Sequence, residues 1–293
     1  MPSRFRLAAL CLALLSLSRS AATAQALSSQ WEELTAPDFV KAIHQAQGVC
    51  VLPFGIIEKH GPQLPLGTDL LDVRFAVKNA TAQEYAVVFP PYYFGQIFEA
   101  QQQPGTVAYS LSTQLTLLQE TVKEMARNGC KKVAIANGHG GNQSLLPLFA
   151  QSQLATARDY VVYVIDLPQR NAPGRPAQKT TIDMHAGETE TSEMLIARPD
   201  LVHLDRATSQ SGADQHHLHL PSSVYTGIWW YARFPEHYAG DGSAATKELG
   251  AFDQKNWSRT IAEGLRAIKA DSDSLRLQNE FYEKAQHPLD TKQ

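Results

Sequence analysis

The stretch Val49-Cys50-Val51-Leu52-Pro53-Phe54-Gly55-Ile56-Ile57-Glu58-Lys59-His60 decides how this chain is read. A short apolar run, 49–57, breaks abruptly into charged residues, the pattern of a buried strand whose end meets solvent or a ligand. The same device recurs at Lys132–Ala136, which runs into Asn137-Gly138-His139-Gly140-Gly141-Asn142, and shorter apolar runs stand at Val87–Pro91 and Tyr160–Ile165. Between them lie helical patterns. Phe39, Ile43 and Ala46 have helical spacing within 28–47. Thr68 or Asp69 is placed to cap a helix through Leu71, Phe75 and Ala76. Ser112 is read as the start of a helix with Leu115, Leu118, Val122 and Met125 on its apolar face and Gly129 at its end. A further helix is expected from about Gln143 to Ala157, and a long one over Ala244–Ala270. Short apolar strands alternating with amphipathic helices predict an α/β fold with a mostly parallel sheet covered on both faces. Pro168–Pro176 reads as a surface excursion, 203–235 as irregular and aromatic-rich, and the last twenty residues as polar surface. No internal repeat or domain boundary is visible, so 27–293 is read as one domain.

The 293 residues are 43% hydrophobic and 19% charged, an ordinary globular mixture. The first 24 stand apart. Arg4 and Arg6 precede the apolar run Leu7–Leu17, and Ala21-Ala22-Thr23-Ala24-Gln25-Ala26 follows, which is the order of a secretory signal peptide. The run is shorter than the about 20 residues a spanning helix needs. Cleavage after Ala24 or Ala26 gives a mature start at Gln25 or Leu27 and a periplasmic or secreted protein; an uncleaved anchor is the other reading, and Arg19 close to the cleavage region is what favours it. Removing Arg4, Arg6 and Arg19 and no acids leaves 23 basic residues against 29 acidic, a net charge of −6. With no Lys/Arg cluster to meet phosphates, nucleic acid is excluded as a partner. Cys50 and Cys130 remain after the leader; both a bridge and two buried thiols fit them.

In an open parallel sheet, ligands collect at the carboxyl ends of strands. Three polar clusters fall there: Glu58-Lys59-His60 with Asp69 nine residues on, His139 within its glycine-rich turn, and His185 to Ser192 with Glu188 and Glu190. Each has an ordinary explanation: surface residues, a phosphate-gripping turn, an acidic helix start. The turn lacks GxGxxG and a P-loop ending, however, which argues against a nucleotide. Three clusters of histidine with acid at three strand ends point instead to a metal centre. Imidazole with carboxylate suits zinc, manganese or iron, and a carboxylate such as Asp69 can bridge two ions. His216, His217 and His219 read as a solvated loop, and His44, His203, His237 and His287 show no partner in sequence. Tyr92, Tyr93, Phe94, Trp229 and Trp230 fit either a pocket wall or core packing.

LPFGIIEKHGPQLPLGTDLLD at 52–72, NGHGGN at 137–142 and HAGETETSEML at 185–195 together resemble the creatininase (creatinine amidohydrolase) family, with PGT at 104–106 and GDGSAATKELG at 240–250 as weaker matches. The resemblance implies a three-layer α/β/α sandwich, a homo-oligomer of up to six chains, and two divalent ions per chain, Zn2+ or Mn2+ with Fe2+ as a further option. It implies Glu58, His60, Asp69 and His139 as ligands, with Asp69 bridging, Glu190 as the fifth, and His185 as the catalytic acid/base. The chemistry implied is cleavage of a C–N bond in a small cyclic or linear amide, with a water shared between the ions as nucleophile. Relatives acting on creatinine itself tend to place a Glu two residues after the histidine matching His139; here that position is Gly141. A metallopeptidase trimming short peptides needs the same centre, and a non-catalytic metal- or ligand-binding protein needs only the fold.

Overall fold

The computed structural model describes residues 27–168 and 170–293. The signal pattern, both small-residue cleavage motifs and Cys11 lie outside the described residues. Strands β1 (Val49–Phe54), β2 (Val87–Val88), β3 (Lys132–Asn137) and β4 (Val161–Ile165) form one sheet in the order β2-β1-β3-β4, with every pair parallel. The register sets Phe54 beside Asn137 and Ala136 beside Ile165, so β1, β3 and β4 end at one edge. The expected run at Val87–Pro91 pairs only at its first two residues.

Helices α1 (Ala36–Gln45), α2 (Thr68–Thr81), α3 (Leu111–Arg127), α4 (Asn142–Ser152), α5 (Glu188–Ala197), α6 (Trp229–Arg233), α7 (Lys247–Ala270) and α8 (Ser274–Gln286) surround it. The pleat sorts side chains between two cores. Cys50, Leu52, Phe54, Val133 and Ile135 pack with α1, α3 and α4. Val49, Val51, Ala134 and Ala136 pack with α2 and α7. Every residue of β1 is buried, as a sheet covered on both sides requires. Each large side chain such as Leu52 or Ile135 contributes about 1.5–3 kcal/mol by leaving water. The result is the three-layer α/β/α sandwich.

Several boundaries shift for identifiable reasons. Ser110, not Ser112, caps α3 by accepting from the Thr113 N–H. Neither Thr68 nor Asp69 caps α2: Gly67 holds that position, and the Thr68 hydroxyl donates to the Pro65 carbonyl, leaving the Asp69 carboxylate free of the helix end. Helix α4 gives way to a 3-10 turn at Gln153–Ala155, so it falls short of Ala157. The polar C-terminus forms α8, which docks through Tyr282 and Gln278, their side chains donating to the carbonyls of Gln153 and Tyr160. Cys50 and Cys130 are joined in a disulfide that ties β1 to the approach of β3.

Helices α5 and α7 cross almost in backbone contact. A Cβ on Gly250 would lie 1.8 Å from the Ser192 carbonyl oxygen. Gly250→Ala therefore sets a helix-propensity gain of about 1 kcal/mol against a backbone clash that no rotamer relieves. We expect the clash to win, with a net loss of about 1–3 kcal/mol and a melting midpoint lower by roughly 3–10 °C. Thermal unfolding followed by circular dichroism checks this; an unchanged or higher midpoint contradicts the close crossing.

Candidate metal centre

The strand ends deliver the first two groups. Chain leaving β1 turns back so that the Glu58 N–H donates to the Leu66 carbonyl, and Glu58 and His60 are both wholly buried. Past β3, the His139 N–H donates to the Asn137 side-chain oxygen. Asn142 donates to that same oxygen and accepts from the Gln96 N–H. Both asparagines of the turn are thus scaffold for the histidine between them. The glycines here serve clearance more than tight turning: a Cβ on Gly138 would come within 2.9 Å of the Asp69 carbonyl oxygen. Its absence lets the first turn of α2 settle over the strand ends.

That first turn places Asp69 between two imidazoles. Its Oδ1 lies 3.0 Å from His60 Nε2 and its Oδ2 lies 2.9 Å from His139 Nδ1. Glu58 Oε1 also lies 3.0 Å from His139 Nδ1. Glu190, from the first turn of α5, brings Oε2 to 4.0 Å from His60 Nε2 and accepts from the Ala186 N–H. The structure therefore gathers all five proposed ligands, with His185 beside them, its Nδ1 3.8 Å from Glu190 Oε2.

Tautomers follow from the partners. The Glu58 carbonyl can only accept, so His60 Nδ1 carries a proton toward it and Nε2 faces the carboxylates. The Lys59 carbonyl likewise fixes a proton on His185 Nε2, leaving Nδ1 as the available nitrogen. His237, which showed no partner in sequence, is also at the centre. An indole N–H can only donate, so the bond from Trp230 Nε1 keeps His237 Nδ1 unprotonated, and its Nε2–H is given to Glu58 Oε2. Glu58, His185 and His237 cluster closely enough to suggest a metal set. Both imidazole nitrogens that face Glu58 carry protons, however, so this trio orients Glu58 and does not chelate.

Burial opposes protonation of His60, but the Asp69 and Glu58 carboxylates outweigh it and raise its pKa to about 9. His139 rises well above its ordinary value through the same balance, with Glu58 the stronger partner. Burial alone would raise Asp69; His60 and His139 instead hold it well below the usual carboxylate range. Burial lowers His185 to about 4 and His237 to about 3, with the cationic tendency of His60 adding to both. In the absence of ions, protons on His60 and His139 neutralise buried carboxylates. Divalent cations can replace those protons, because ligation requires the neutral imidazole. Glu58 Oε1 and Asp69 Oδ2 are buried without a well-aligned hydrogen-bond donor, as oxygens intended for a cation would be. The donors fit a divalent cation: Glu58, His60 and Asp69 lie close enough to share one, as do His60, His185 and Glu190, and His139 Nδ1 adjoins Glu58 Oε1 and Asp69 Oδ2.

The surroundings also correct the sequence reading. Tyr92 stacks on Phe54 and Phe94, and Phe94 in turn on Tyr93, so these rings belong to the core and its margin. Only Trp230 reaches the centre, through His237. The excursion 168–176 lies at the surface, none of its described residues being buried, but it sends the Arg175 side chain in to grip both oxygens of Asp253, and Arg170 approaches Glu190 at 3.9 Å. Asp72 and Glu193, one helical turn beyond Asp69 and Glu190, are buried there too. Burial and the neighbouring acids raise Asp72 well above its ordinary value. Burial raises Glu193 to about 8 despite the opposing pull of Arg170. A D-x-x-D and an E-x-x-E on two helix starts could have been noticed in sequence; His237 carried no signal.

A sequence model of the family described as Creatinine amidohydrolase matches residues 32–265. The mycofactocin precursor peptide peptidase of Mycolicibacterium smegmatis (strain ATCC 700084 / mc(2)155) is 29% identical over 233 residues, covering 77% of this chain and 82% of that one. The creatinine amidohydrolase of Pseudomonas putida is 27% identical over 200 residues, 62% of this chain and 76% of that one. Among solved structures, one described as "Creatininase Mn" superposes with a TM-score of 0.66 at 22% identity, covering 83% of this chain and all of the other. Strand ends, buried donors and three matching motifs converge with these likenesses: the chain belongs to the creatininase family of hydrolases acting on carbon–nitrogen bonds.

Proposed function

We propose that this chain holds two divalent ions, zinc or manganese, and hydrolyses the C–N bond of a small cyclic or linear amide. The observation that carries this reading is the division of Asp69, one oxygen to His60 and the other to His139. The mixed imidazole–carboxylate donors support the choice of ions, and a solved structure of this fold described as "Creatininase Mn" agrees with it. Bound ions supply Lewis acidity that acidifies a water and polarises a carbonyl.

The chain's own residues do the rest. His185 Nδ1 faces Glu190 with its lone pair available, and burial keeps the ring neutral, ready to accept the water's proton. It then returns that proton to the departing nitrogen, so one imidazole serves as base and acid. The Lys59 carbonyl holds His185 in the required tautomer, as His237 and Trp230 hold Glu58. Gly141 stands where creatinine-cleaving relatives tend to carry a Glu, and a Cβ there would meet His139 Nε2 at 2.4 Å; the peptidase likeness at 29% identity favours short peptides as a second substrate class.

Screening the metal-loaded protein against cyclic amides, formamides and dipeptides tests the activity itself. His185→Ala is expected to keep both ions and the melting midpoint while turnover falls by about 10²–10⁴-fold. Ion loss would make His185 a ligand; full turnover would remove it from the mechanism, and turnover of no amide by the native protein would leave a binding function.

We further propose that the protein is exported. The Arg4/Arg6 start, apolar run and Ala-rich flank support this, and a Cys50–Cys130 disulfide suits an oxidising compartment. N-terminal sequencing after expression in a secreting bacterial host should give Gln25 or Leu27. An intact Met1 in a soluble cytoplasmic fraction would contradict it.

A further inference from the structure

A cavity of about 50 Å³ opens beside the centre, lined among others by Asp69, Asp72, Arg170, Glu190, Glu193 and Asp253. Its walls come from two helix starts built alike. Asp69 and Asp72 are three apart on α2, Glu190 and Glu193 three apart on α5, so each pair shares a helix face. All four carboxylates line the cavity; the outer member of each pair, Asp69 or Glu190, is also a proposed ligand, and the inner member, Asp72 or Glu193, is not.

Among the described residues no cation comes within ion-pair distance of the inner pair, although Arg170 acts on Glu193 from further off. Asp253 is already gripped by Arg175 through both oxygens. Arg170 spends one N–H on the Asp183 carbonyl, and its nearest carboxylate oxygens belong to Asp183 at 3.6 Å and Glu190 at 3.9 Å. Asp72 is 2% exposed and accepts only from Gln254. Glu193 is 9% exposed, lines the cavity, and makes no hydrogen bond or ion pair among the described residues. A buried carboxylate without a partner costs several kcal/mol unless it is neutralised. In the empty cavity protons neutralise both groups, and a cation entering it can take the place of those protons.

We propose that this cavity receives a primary ammonium group of the substrate, with Glu193 and Asp72 as its anionic floor. This rests on the hydrolase reading and narrows it to amides carrying an amine a short chain away from the carbonyl, an amino-acid amide or a peptide N-terminus among them. Three features select ammonium. The space holds a few waters' worth of volume, on a scale of about 10–15 Å³ each, which suits a compact head and not a ring. An ammonium has three N–H donors, and the two carboxylates offer four oxygens, of which Gln254 occupies one. A third divalent ion would want imidazole or six or more oxygens, yet the wall carries no histidine and does carry the Arg170 guanidinium.

Trp257 lines the same cavity and reports on it directly. Titrating the metal-loaded protein with ethylammonium chloride should change tryptophan fluorescence saturably. The change should disappear in Trp257→Phe and weaken by about 10–100-fold in affinity in Glu193→Gln and Asp72→Asn, as expected for a hydrogen-bonded charge. In turnover, the preference for an amino-acid amide over its N-acetylated counterpart should fall by the same factor in Glu193→Gln. An unchanged preference, or no fluorescence response to ethylammonium, would overturn the proposal. So would a third tightly bound ion that Glu193→Gln releases, since the cavity would then be a metal site. If the native protein hydrolyses no amide, the hydrolase reading fails, while the ethylammonium titration still decides whether the pocket takes a cation.

Discussion

Asp69 is held with one oxygen 3.0 Å from His60 and the other 2.9 Å from His139, from the first turn of a helix pressed against the ends of two strands. Much of the molecule follows from keeping it there. The carboxylate is 5% exposed, and an isolated buried charge of that kind would protonate. The amino end of α2 favours the anion, and Gly138 lets that end approach the sheet closely. Parallel pairing sets β1 and β3 in step, so Glu58, His60 and His139 arrive at one edge. A cluster of buried acids and imidazoles assembled in this way is neutralised by protons on His60 and His139, which divalent cations can replace.

The second layer of support comes from far along the chain. His237, 179 residues after Glu58, fixes the outer oxygen of that carboxylate, and Trp230 fixes His237. The antiparallel pairing of His185 with Ala239 ties the His185 segment to the same loop. Gln63 reaches across to the Ala186 carbonyl, locking the turn that begins α5. The irregular segment 203–240 thus contributes little to the sheet and much to the geometry of the site. That division of labour, rigid strands for placement and a long loop for orientation, is common in enzymes.

What was legible in sequence is what depends on local pattern. The sheet was visible because β1 and β3 are short apolar runs that stop at charged or glycine-rich residues. The three clusters that hold the five proposed donors were visible because each stands just past a strand or at a helix start; the choice of donors within them came from the family resemblance. What depended on tertiary contact was hidden. Nothing near His237 distinguishes it from His44 or His203, because its partners are remote in sequence. Asp69 looked like a helix cap because its residue type favours that role, but Gly67 took the cap and released the side chain. The Pro/Gly content of 168–176 suggested a surface excursion, which it is; what stayed hidden was that Arg175 reaches from it to the buried Asp253. The Cys50–Cys130 bridge was open in sequence because bridge formation needs a distance, and the parallel pairing of β1 with β3, which begins two residues after Cys130, supplies it.

The central claim is that Asp69 joins two ions in a buried centre. Anomalous X-ray scattering from crystals of the protein loaded with zinc or manganese tests it most directly. The account predicts two peaks per chain on opposite sides of the Asp69 carboxylate, one beside Glu58 and His139 and the other beside His60 and Glu190. A single peak, or two peaks that leave Asp69 untouched, would contradict it.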